Sequence, residues 1–222
     1  MTLPARPPGV ASRKTRKLWD ETWECASRQA WFEADIDLTR WIPCPAHFRE
    51  PRSRAWWTGF YADLLSQMGV NAELASAELT RIYDGIWGYV PCHHAFLHAY
   101  DPEISLLPVC IGLWQVAADW DTMWRKFTGV DDTGLIEPPI VEEFGNPHLG
   151  TGRKCLRYMK NKKSGLVAAV LDYAFRCEEL ETDLTVHAHT TDLRRLQRGM
   201  PDIDALATTI KVVPYQQAID GG

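Results

Sequence analysis

Apolar positions recur at helical spacing through the first half of the chain and at strand spacing through the last third. Trp19, Trp23, Ala26 and Ala30 repeat at four, three and four, which is one face of a helix. Trp57, Phe60, Tyr61, Leu64 and Met68 predict a second helix. Ala75, Leu79, Ile82 and Ile86 predict a third, with Gly69 as the stop and Asn71 as the N-cap between them. Trp41-Ile42-Pro43-Cys44-Pro45 must be extended, because a proline restrains both itself and its predecessor, so a short edge strand is expected between Asp35 and Pro45.

Further along, Ile104 to Leu113 is apolar and uncapped and predicts a strand, with Pro108 at an edge or bulge position. Val116, Trp120, Met123, Trp124 and Phe127 return to helical spacing, and Ile140 to Phe144 form a short strand behind Pro138-Pro139. Leu156 and Tyr158, then Val167, Ala169, Leu171, Tyr173, Phe175 and Cys177, alternate about the loop Asn161 to Gly165 and predict a hairpin. Leu184, Val186 and Ala188 make the next strand. Asp192 to Arg198 is a turn or two of helix, Pro201 restarts a helix through Ala207, and Ile210 to Val213 closes with a strand. Helices followed by consecutive strands define an α+β class, an antiparallel sheet with Trp-rich helices packed on it. Neither a repeat nor a linker interrupts the pattern, so residues 18–215 read as a single domain behind a basic arm at 1–17.

Composition changes this picture in three places. There are 10 Trp against 7 Tyr and 7 Phe, and eight of those Trp precede residue 115, which concentrates them in the helical half. The longest apolar run, Ile104 to Trp114, falls short of the roughly 20 residues a membrane span needs. The N-terminus lacks the apolar segment of a secretory signal, so a soluble, cytoplasmic protein with no membrane partner is expected. The six cysteines contain no C-x-x-C and are expected to be buried free thiols. Arg6, Arg13, Lys14, Arg16 and Lys17 give the arm +5 with no acid, so the chain's net −5 leaves −10 on the remainder. An acidic body argues against a nucleic-acid surface apart from that arm.

The densest chemistry lies at Cys92-His93-His94-Ala95-Phe96-Leu97-His98, followed by Tyr100, Asp101 and Glu103. If the stretch is helical, His94 and His98 share a face at i, i+4, a spacing that holds zinc or iron, with His93 adjacent. The glutamate of H-E-x-x-H is missing, which excludes the metalloprotease version. His187-Ala188-His189 lies in a predicted strand with both rings on the face opposite Leu184 and Val186. Such a pair chelates metal or, with a tyrosine such as Tyr158, serves a rolling-circle nuclease. The order here is the reverse of that family's, and a solvent-facing strand is the plainer reading. Asp35 and Asp37, Asp119 and Asp121, and Asp131 and Asp132 are explained by helix caps and loops. Gly145 to Lys154 fails the phosphate-loop pattern because a strand follows, and no nucleophile-elbow motif is present.

The hairpin, the segment L-T-V-H-A-H-T, a short helix and P-D-I-D-A-L-A-T-T-I-K-V-V together resemble the end of PsbP-like α+β domains, over residues 153–214. The resemblance implies a small sheet backed by helices and a binding or accessory role rather than catalysis.

The tryptophans at helical spacing are core residues by default. Trp56-Trp57 differs, because adjacent helical positions point about 100° apart and the two rings cannot take the same side. With Arg52 and Arg54 just before the pair, this region is the expected contact surface for another protein or for self-association. The sequence therefore reads first as a non-catalytic accessory or adaptor protein, chaperone- or immunity-like, that needs no cofactor. The alternative is a zinc- or iron-dependent enzyme using His93, His94 and His98.

Overall fold

A computed structural model describes residues 29–45, 51–89, 92–99, 106–160 and 165–215. The basic arm, Trp19 to Ala26 of the first predicted helix, Cys25, the hairpin loop at 161–164, and Tyr100, Asp101 and Glu103 lie outside the described residues. The fold is α+β, with an antiparallel sheet and Trp-bearing helices. It divides into two compact units, one formed by Asp37–Cys110 and the other by the described residues before Asp37 and from Ile111 onward.

In the first unit, β2 (Trp41–Cys44) pairs antiparallel with β3 (His94–His98), placing Trp41 opposite His98 and Cys44 opposite Ala95. Helices α1 (Pro51–Gln67) and α2 (Ala72–Tyr89) form a hairpin. The turn between them follows the sequence signals: Gly69 takes a positive φ of 91°, and the Asn71 carboxamide accepts from the Leu74 amide at 3.1 Å. Leu79, Ile82 and Ile86 of α2, Trp57 and Leu65 of α1, and Ile42 and Leu97 of the strands close one apolar core.

In the second unit, β5 (Ile140–Asn146), β6 (Gly150–Lys160), β7 (Val167–Cys177) and β8 (Thr182–Thr190) run antiparallel in continuous register. The strand order continues from β8 to β4 (Leu107–Gln115), of which the residues from Ile111 onward belong to this unit. Because side chains alternate, Leu171, Tyr173, Phe175, Leu184, Val186 and Ala188 share one face and are all fully buried. Helix α4 (Leu193–Thr209) covers that face with Leu196, Ile203, Leu206 and Ala207. The Tyr173 hydroxyl ties the layers together by donating to Asp204 of α4 at 2.5 Å, and Lys154 reaches the same carboxylate at 2.8 Å. Helix α3 (Trp120–Thr128), capped by Asp119, packs against β7 from the other face, where Arg176 meets Asp183 at 2.7 Å and the Ala118 carbonyl at 3.0 Å. Strands β1 (Ala30–Glu33) and β9 (Lys211–Pro214) form a separate two-stranded pair.

Two expectations are corrected. Ala30 opens a strand rather than continuing a helix. The two short helices at 192–207 are one helix with Pro201 inside it. Proline removes a single backbone donor, and the apolar face on either side of it, from Leu196 to Ala207, is buried against the sheet, so packing overrides the local break.

The thiols behave as core residues. Cys44, Cys92, Cys110 and Cys155 are buried and unbridged, and Cys177 is half-buried. Burial pushes the Cys155 thiol up to about 11, with the nearby Asp172 charge acting the same way, and raises Cys92 well above the usual thiol range. Since the thiolate is the reacting form, native-state labelling of a Cys25→Ser variant with a thiol reagent will modify Cys177 first. The other four will react only on unfolding, and a second thiol reacting as fast as Cys177 in the native protein would contradict this burial pattern.

Candidate functional site

Helix α1 carries two apolar rows, which the sequence pattern merges into one. Trp57, Tyr61 and Leu65 repeat at four residues and turn inward. Trp57 is 5% exposed, its indole N–H donates to the Pro43 carbonyl at 3.0 Å, and its ring lies against Tyr61 and Tyr83. Trp56, Phe60, Leu64 and Met68 repeat at the same interval one position earlier and turn outward, at 67%, 49%, 36% and 38% exposure. The rings of Trp56 and Phe60 stack with centroids 5.3 Å apart and planes 15° from parallel, so the row begins as a stacked aromatic ridge and ends at Met68, in the turn just past α1. Leu74 of α2 is exposed as well.

Of the four residues expected at a contact surface, Trp56 and Arg52 are exposed. Trp57 is a core residue. Arg54 is half-buried, pairs with Asp84 at 2.8 Å and lies 4.7 Å over the Tyr83 ring, so its charge joins α1 to α2. Phe60, Leu64 and Met68 were missed as surface residues. The signal that separates them is register: a row at 56, 60, 64 and 68 lies about 100° around the helix from one at 57, 61 and 65. Beside the ridge runs a shallow, open groove between α1 and α2, lined by Gly59, Ala62, Ser76 and Ala77 together with the charged Asp63, Glu73 and Arg81.

The histidine cluster does not take the conformation its metal reading requires. His94 to His98 is the strand β3, not a helix. Positions four apart share a face in either conformation, but in a strand they stand about 13 Å apart rather than about 6 Å, which removes the chelate geometry. His98 is fully buried with its ring 4.8 Å from that of Trp41. His93 is buried in the bend just before β3, and His94 is half-buried with its pKa lowered to about 3, first by burial and then by the neighbouring His93 charge. Among the described residues no three His, Cys, Asp or Glu side chains gather where a metal ion could be held.

The H-x-H strand does have the expected facing. Leu184, Val186 and Ala188 point inward and His187 and His189 outward, with ring centroids 6.3 Å apart. The register places Asp172 of β7 directly opposite His187, whose Nδ1 lies 2.6 Å from the carboxylate. The same carboxylate accepts from Arg157 of β6 at 3.2 and 3.3 Å, and Arg157 reaches Asp132 at 2.7 Å. His189 has its pKa lowered by burial foremost, then by His187. Tyr158 alternates with Arg157 and so projects from the other face, which separates it from the histidine pair.

The remaining carboxylates have structural partners. Asp37 accepts from the Thr39 amide and hydroxyl, Asp119 caps α3 through Thr122, Asp121 accepts from the Trp124 indole, and Asp131 binds Arg125. No helix among the described residues is long and apolar enough to cross a membrane. No protein-family model matches the chain, and no curated protein matches it.

Proposed function

We propose that this is a non-catalytic, cytoplasmic binding protein of the accessory or adaptor kind, which engages another protein chain through the outward face of α1. The observation that carries the reading is the ridge Trp56, Phe60, Leu64 and Met68, four large apolar side chains in one row and all solvent-exposed. A continuous exposed apolar row marks an interaction surface where scattered single residues do not. Exposed tryptophan beside arginine, here Trp56 with Arg52, is the composition of interface centres. The row also has the i, i+4, i+8 spacing by which a helix presents anchors to a partner's groove.

The test is site-specific photo-crosslinking in cells, with the crosslinker at position 60 and, as control, at Arg198. A discrete protein adduct is expected at position 60, absent at the control and lost in a Trp56→Asp background. No adduct at position 60, or equal adducts at both positions, would sink the reading.

A further inference from the structure

The α1 face carries both halves of a complementary surface. Gly59 follows Trp56 by three residues and Asp63 follows Phe60 by three, so the small-residue wall of the α1–α2 groove stands directly beside the aromatic ridge. A heterologous partner needs a ridge or a groove to grip. A self-complementary surface needs both on one face, since a two-fold axis then carries the ridge of each copy into the groove of the other. Charge runs the same way. Arg52 is exposed at the N-terminal end of the ridge, and the groove rim is acidic through Asp63 and Glu73. Arg81, which also lines the groove, is already held by Glu78 at 2.6 and 2.8 Å, so the rim stays acidic. Antiparallel approach of two α1 helices sets the Arg52 end of one against the acidic rim of the other.

We infer that the partner of the α1 face is a second copy of this chain, docked about a two-fold axis with the Trp56–Phe60 ridge of each copy in the Gly59–Ala77 groove of the other. The inference rests on the binding reading above and names its partner.

Gly59 supplies the test. A Cβ built there meets nothing within 4 Å, so Gly59→Leu is accommodated by the single chain while filling the groove. Replacing a helix-interior glycine also favours the helix, so this variant keeps or raises Tm and any loss of association is not a loss of folding. Sedimentation equilibrium of the full chain will show a concentration-dependent dimer. Gly59→Leu and Trp56→Ala will each weaken it by about tenfold or more, equivalent to ~1.4 kcal/mol or more. A dimer of unchanged affinity in both variants overturns the geometry. A chain that stays monomeric, with a crosslink at position 60 to a protein of different mass, overturns the second copy and leaves the binding reading standing. A monomer with no crosslink overturns both.

Discussion

Asp172→Ala will destabilise the protein by about 3–5 kcal/mol, the cost of leaving a buried charge without its partner. The carboxylate is 5% exposed at the centre of β7 and receives Arg157 from one neighbouring strand and His187 from the other. Arg157 is 8% exposed, and without Asp172 it keeps, among the described residues, Asp132 as a carboxylate partner, a group that is itself 47% exposed and strongly hydrated. The guanidinium packs beside the C-cap of α3, where a Cβ at Gly129 would collide with it. Urea unfolding monitored by tryptophan fluorescence measures the loss. Asp172→Asn will cost less, since the amide oxygen still accepts a hydrogen bond. The double replacement Arg157→Met with Asp172→Leu will recover most of the stability, because removing both charges removes the desolvation penalty as well. A single alanine variant that loses less than about 1 kcal/mol would show that water reaches this pair freely.

The contrast between what the pattern of residues revealed and what it concealed follows from how far apart the interacting groups lie. Val167 to Cys177 was legible because the face under α4 carries Leu171, Tyr173 and Phe175, while the other face, equally buried, carries the polar Asp172 and Arg176 and the small Ala174, so residue type alternates at period two although burial does not. The Trp56-Trp57 conflict was legible too, since the angle between adjacent helical positions depends on nothing else in the chain. His94 and His98 were ambiguous for a definite reason. A spacing of four returns to the same face in both helix and strand, and only the rise per residue, invisible in the sequence, tells a chelate from two distant side chains. The Asp172, Arg157 and His187 cluster was invisible because it exists only in the register of three strands, with partners fifteen positions apart. Pro201 misled for the opposite reason: a strong local signal lost to the burial of the residues on both sides of it.

Acid will weaken the protein from about pH 6.5 downward, well before its carboxylates titrate. His94 is driven to a folded-state pKa of about 3 by burial and by the neighbouring His93, whereas in the unfolded chain it takes a proton near 6.5. Above pH 6.5 both states are neutral at this site and its contribution is constant. Between 6.5 and 3 the unfolded state binds the proton and the folded state does not, so each unit of falling pH removes up to about 1.4 kcal/mol. By pH 5 His94 alone accounts for about 1–2 kcal/mol. Asp37 and Asp119 are held below the ordinary carboxylate range by their Thr39 and Thr122 hydrogen bonds. Their stabilisation is lost only as pH falls below the usual carboxylate value, so the window above pH 5 belongs to His94. Urea unfolding at a series of pH values will show this slope in the native sequence and a shallower one in His94→Asn, which has no proton to take up. Parallel profiles for the two would mean that His94 titrates in the folded protein as it does in water, and that the β3 strand is open to solvent at that position.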